Sequence, residues 1–312
     1  ADDVRLMFSG GVIAAEPAGR ATVHVGADGL RLAVTPGVAL SDAFLRFHRF
    51  VAALGDLPAG ERSERSGLEG SAGQFSARVV RGAEDELRGR LRNIFFPEPT
   101  FDTVPLFAFD QRRFYARLRG AEPQPVVYGW SETPRLPVGE VAPRRAVGLW
   151  AMETELRYDG PVLWLPKGVW QMRTRSKSAA TAAVGEGRFA GTRPVELVLE
   201  FSLPAGCPDW EPTEAQLHLE FRGSAFRPTV RVAPAGDDDG KTGVSRWEVL
   251  PGESPYRLRQ PAQYYQAATR RFVVAVSVEA ADGSARTTES ALLGLSRWQI
   301  RECELEAKGV TR

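Results

Sequence analysis

Long hydrophobic runs are missing from this 312-residue chain: nowhere do about 18 apolar residues follow one another, which excludes a membrane-crossing helix. The run Phe272–Val276 is only strand-sized. Cysteine is scarce as well. Cys207 and Cys303 stand far apart, with neither a CxxC pair nor a Cys/His cluster to hold zinc. They could form one disulfide, and the sequence leaves open whether they do. A charge excess is also missing, since 40 basic and 39 acidic side chains leave a net +1. Basic and acidic residues alternate, as in Glu61–Arg65 and Glu84–Arg88, so nucleic-acid binding, which needs basic charge gathered on one face, is disfavoured. The one compact basic cluster, Arg173, Arg175 and Lys177, reads as a solvated strand face.

Catalytic signatures are equally sparse. The three histidines, His24, His48 and His218, form no HExxH or HxH, and no GxSxG marks a nucleophile turn. Cys207, between Gly206 and Pro208, has no base in its sequence neighbourhood. The segment Ala235–Gly243 imitates a phosphate loop through Gly236, Gly240, Lys241 and Thr242, but its spacing is one residue short. Its three aspartates would also repel phosphate. No cofactor is therefore expected. Asp237 and Asp239 are the candidate metal ligands, for a hard cation such as calcium. The competing reading of that segment is a solvated hairpin tip.

Lysine occurs only at 167, 177, 241 and 308 and asparagine only at 93, while arginine carries nearly all positive charge. That bias suits a GC-rich bacterial source. The opening Ala1-Asp2-Asp3 fits either a mature chain after signal removal or a trimmed one, and a periplasmic or extracellular location is the expectation.

What is present is β-pattern. Thr22–Val25, Gly26–Gly29 and Leu30–Val34 read as strand, turn and strand, with Asp-Gly supplying residues that tolerate positive φ. Asp-Gly recurs at 159–160, 239–240 and 282–283, which argues for antiparallel sheets. Apolar alternation marks Val195–Phe201 and Leu217–Arg222, and further strands are expected at Arg271–Val278 and from Trp298 to about Leu305. In the N-terminal half, strands are expected near 74–80 and 87–96. One amphipathic helix is predicted over 41–54. Ser41 and Asp42 would cap it, Phe44, Phe47, His48, Val51 and Leu54 recur at helical spacing, and Gly55 would stop it.

These patterns predict a mainly β chain of two antiparallel sandwich-like domains, with the helix packed on the first. Residues 1–122 would form the N-terminal domain, 123–146 a Pro-rich connection, and 147–312 the C-terminal sandwich. A single sandwich with a long crossover is the alternative.

The remaining lead is aromatic. Trp164 and Trp170 bracket a short loop, and Tyr264–Tyr265 reads as an exposed pair, since neighbouring rings on extended backbone point apart. Trp150, Trp247 and Trp298 are assigned to cores. Exposed aromatics anchor protein interfaces or stack on sugars. The carboxylate pairs Glu153/Glu155 and Glu196/Glu200 leave a glycosidase open, although such pairs usually line solvated faces. The leading expectation is a non-enzymatic interaction or scaffolding subunit that binds other proteins of a larger bacterial assembly. A glycan-binding sandwich comes next, then a carbohydrate-active hydrolase. Tyr264, Tyr265, Trp164 and Trp170 are the candidate interface or ligand-binding residues.

Overall fold

The computed structural model describes residues 19–68, 124–131, 148–175, 181–185, 188–237, 244–281 and 297–312. The N-terminal strands are β1 (Gly19–Gly26), β2 (Gly29–Pro36), β3 (Leu40–Phe47), β4 (Phe50–Leu57) and β5 (Ser63–Arg65). Next come β6 (Val126–Ser131), β7 (Gly148–Glu153), β8 (Glu155–Tyr158), β9 (Val162–Leu165) and β10 (Gln171–Thr174). They are followed by β11 (Thr181–Gly185), β12 (Arg188–Gly191), β13 (Val195–Ser202), β14 (Trp210–Arg222) and β15 (Phe226–Val232). The last are β16 (Glu248–Val249), β17 (Tyr256–Leu258), β18 (Arg271–Ala280) and β19 (Trp298–Thr311). Among the described residues the helical content is two three-residue 3-10 turns, so none of their helices is long and apolar enough to cross a membrane.

The described residues form four sheets, in the orders β5-β2-β1-β8, β4-β3-β6-β7, β10-β13-β18-β15-β16 and β11-β12-β19-β14-β17, with β9 added along β19. The chain is mainly β and its described pairings are antiparallel apart from β1 with β8. Hydrophobic side chains from all four sheets join one continuous core. Of the expected connection over 123–146, residues 126–131 form β6, which lies between β3 and β7. The strands expected near 74–80 and 87–96, the Asp-Gly turns at 239–240 and 282–283, and Lys177 lie outside the described residues.

The first hairpin forms as read. Gly26 pairs with Gly29 across Ala27-Asp28, and Gly29 takes φ +85°, a conformation that costs glycine little. Asp159–Gly160, by contrast, joins strands that do not pair with each other: β8 runs parallel to β1, and β9 pairs with β19.

The predicted helix over 41–54 is not there; the segment is the β3–β4 hairpin. Phe47 pairs with Phe50, so His48-Arg49 is a two-residue turn, with His48 at φ +51°. Phe44, Leu45 and Phe47 on one strand and Phe50, Val51, Ala52 and Leu54 on the other are all buried. Strands buried on both faces lose their polar alternation, and their apolar runs then mimic a helical stripe. Gly55, read as a helix stop, instead sits at an irregularity in the β3–β4 register, at φ +71°.

β18 is buried and apolar on both faces from Phe272 to Val276. Phe272, Val274, Val276 and Val278 enter the main core, while Val273 and Ala275 face a second cluster with Ala233 and Trp247. β19 extends beyond the expected end at Leu305, to Thr311. Its register with β14 slips between Glu220 and Phe221, which leaves Arg301 as an extra residue. Trp298 and Ile300 therefore point inward before the bulge, and Cys303, Leu305 and Ala307 after it. The slip turns Glu302, Glu304 and Glu306 together onto the opposite, outer face.

Candidate functional site

The outer face of β19 gathers a row of polar and charged side chains. Strand alternation puts Glu302, Glu304 and Glu306 in one row. Register with β14 sets His218 opposite Glu304, and register with β9 sets Trp164 opposite Lys308. At one end Lys167 Nζ donates to Glu302 Oε1 at 3.4 Å. At the other, Trp164 Nε1 donates to Glu306 Oε1 at 3.0 Å, and His218 Nε2 lies 3.2 Å from Glu306 Oε2. Burial, with Lys167 nearby, holds the His218 pKa below its ordinary value against the pull of Glu306 and Glu302, so the ring is neutral at neutral pH. These groups are all partly exposed.

The middle carboxylate is different. Glu304 is 1% exposed and is covered by Arg49 from the β3–β4 turn, whose Nη2 pairs with its Oε1. Arg49 Nη1 also donates to the Cys303 carbonyl at 3.2 Å and approaches Met172 Sδ at 3.4 Å. The turn is seated by its backbone: the Arg49 and Phe50 amides both donate to the Gly168 carbonyl, at 2.9 and 3.0 Å. Gly168 is required there. It holds φ +82°, and a Cβ would lie 2.6 Å from the Phe50 nitrogen. Burial pushes the Glu304 carboxyl up to about 7, although Arg49 pulls the other way. Burial and the charge of Arg46 press His48 down to about 4.

Of the aromatic candidates, Trp164 alone is partly exposed. One edge of its indole packs beside Gly29 of the first hairpin. Trp170 is fully buried, edge-on to Trp210 and Phe272 at 5.8 and 5.7 Å. Tyr264 and Tyr265 are buried too, which corrects the expectation of an exposed pair. They follow the 3-10 turn Pro261–Gln263, and Tyr264 has φ −114° and ψ −10°, so the extended-backbone rule does not apply. The Tyr264 hydroxyl donates to Glu248 at 2.5 Å, and the Tyr265 ring packs between Trp210 and Phe272. Trp247 and Trp298 are core residues as expected, whereas the Trp130 and Trp150 side chains lie outside the described residues.

The other candidates are occupied by structural contacts. Asp237 is buried and accepts the Trp247 Nε1 proton at 2.7 Å; Asp239 lies outside the described residues. No group of three or more His, Cys, Asp or Glu among the described residues could hold a metal ion. Glu200, expected on a polar face, is buried against Arg175 and Arg271. Glu153 and Glu155 are exposed and belong to different strands, separated by Thr154. His24 lies 2.7 Å from Asp159. Cys207 and Cys303 are free, buried thiols, raised by burial to about 11 and about 12, so neither is a thiolate nucleophile at neutral pH.

Sequence reasoning missed the Glu302–Glu306 row, although a signal was present: Glu-Cys-Glu-Leu-Glu alternates with strand period. Comparison with protein-family models, curated proteins and solved structures finds no match to this chain.

Proposed function

We propose that this chain is a non-enzymatic interaction subunit of a larger bacterial assembly, placed in the periplasm or outside the cell, and that the outer face of β19 around Trp164 is its contact surface. The observation that carries this reading is the partly exposed Trp164, whose Nε1 donates to Glu306, with His218 at the other oxygen of that carboxylate and Lys308 opposite Trp164 across the strand pair. A tryptophan held at one point by its N–H and ringed by charge has the layout of an interface anchor with a polar rim. The strip sits on two long paired strands, so it is presented on a rigid platform.

The test uses the purified chain as bait on the detergent-solubilised envelope fraction of its host. Wild type retains a polypeptide at fixed stoichiometry, and Trp164→Ala, with unchanged circular dichroism, loses most of it. Equal retention by both proteins removes this face from the reading. Fractionation of the host cells checks the location separately.

A second reading is favoured by the same residue. A partly exposed indole with a carboxylate and an imidazole beside it also suits a sugar ring, whose C–H face stacks on aromatic rings while its hydroxyls donate to carboxylates. Quenching of tryptophan fluorescence by a polysaccharide, lost in Trp164→Ala, would move the assignment from protein partner to glycan. The hydrolase reading has no comparable observation in its favour.

A further inference from the structure

Arg49 reaches a further element that the contact surface does not use. Met172 lies on β10, the outermost strand of its sheet among the described residues, and is only partly buried. Arg49 Nη1 donates to its Sδ at 3.4 Å. Arg49 itself is 7% exposed, and its guanidinium is poorly supplied with acceptors. Nη2 has the Glu304 carboxylate and Nη1 the Cys303 carbonyl, whereas Nε has no hydrogen-bond partner among the described residues. A thioether is a weak acceptor, so the Met172 contact leaves a buried cation under-satisfied.

We propose that Met172 is a sulfoxidation site whose product is read by Arg49: a hydroperoxide converts the thioether to the sulfoxide, and the new oxygen takes a charge-assisted hydrogen bond from the guanidinium, so that oxidation tightens the seat of the β3–β4 turn.

With hydrogen peroxide, a sulfur lone pair attacks one peroxide oxygen and an S–O bond forms as the O–O bond breaks. The sulfur is oxidised, the peroxide is reduced, and the second oxygen leaves with the proton as water. A sulfoxide ordinarily disrupts a packed region, because its polar oxygen is left without a partner. Here a buried donor lies beside it. Methionine is unbranched and flexible, so rotation about Cγ–Sδ brings the oxygen to Nη1. A charge-assisted bond to that oxygen is roughly twice as strong as a neutral one, and it replaces a contact to sulfur. Met152 is 3% exposed, and Cys207 and Cys303 are buried and protonated at neutral pH, so among these groups the oxidant should reach Met172 first.

Treatment of the folded protein with dilute hydrogen peroxide, read by peptide mass spectrometry and by hydrogen exchange, tests this. Met172 should gain an oxygen before Met152 does. Protection of the Arg49 and Phe50 amides, which donate to the Gly168 carbonyl, should then rise roughly fivefold to tenfold. Met172→Leu nearly conserves the volume and should show no such rise with peroxide. Arg49→Leu takes the donor away from the sulfoxide, so there protection should fall on oxidation. If that variant does not fold, the comparison of wild type with Met172→Leu decides. A Met172 no more reactive than Met152, a sulfoxide that leaves wild-type protection unchanged or lower, or the same rise in either variant would overturn the proposal.

Discussion

β18 and the β3–β4 turn are buried to a similar depth by opposite chemistry. β18 is apolar on both faces from Phe272 to Ala275, and its backbone is satisfied by β13 and β15. The turn is buried with a guanidinium, a carboxyl and an imidazole, and its contacts across to the neighbouring elements include the Gly168 and Cys303 carbonyls and one ion pair. Burial alone therefore does not say how a region responds to its medium. The dry strand should tolerate pH and fail on loss of volume, whereas the charged turn should tolerate small volume changes and fail on loss of a partner.

The largest effect should come from the dry side. Phe272→Ala opens a cavity next to Trp170 and Tyr265 and should cost about 4 kcal/mol in chemical denaturation, equally at pH 6 and pH 8. Arg49→Leu should cost about 3 kcal/mol near pH 8, where Glu304 loses the cation over it, and less near pH 6, where the carboxyl is protonated. A pH-independent loss would mean that Arg49 works by packing. Adding Glu304→Leu to Arg49→Leu should recover most of the loss, because replacing both charges makes the turn resemble β18.

Gly168→Ala comes next, at about 2 kcal/mol, from a strained φ and a displaced seat for Arg49 and Phe50. Faster exchange should appear first at those two amides. The smallest effect is Tyr264→Phe, about 1 kcal/mol through the lost bond to Glu248, with no change at the turn. A change there would mean that the two regions are coupled.

The same contrast explains what was legible in the sequence. β13, β14 and β18 carry strand alternation or a β-branched run, and the first hairpin announces itself by Asp-Gly. The β3–β4 hairpin does not, because two-sided burial removed the polar alternation and left a helical-looking stripe. Tyr264 and Tyr265 were misplaced because a three-residue 3-10 turn folds them inward, and nothing in Pro-Ala-Gln spells that out. For the site, Trp164 was legible as an aromatic beside a loop and the glutamate row as an alternation. Their convergence was not. It depends on the bulge at Arg301, and the Arg49–Glu304 pair joins residues from opposite ends of the chain. Long-range register, not local pattern, decides both.

The central claim, that the outer face of β19 is the contact surface, is most directly tested by lysine-reactive cross-linking of the protein within its host, read by mass spectrometry. The chain has only four lysines; Lys308 pairs across from Trp164, and Lys167 sits at the Glu302 end of the same row. The account predicts cross-links to a second polypeptide concentrated at Lys167 and Lys308 and reduced by Trp164→Ala. Cross-links to that polypeptide that leave Lys167 and Lys308 unmodified, or that are unchanged by Trp164→Ala, would contradict it.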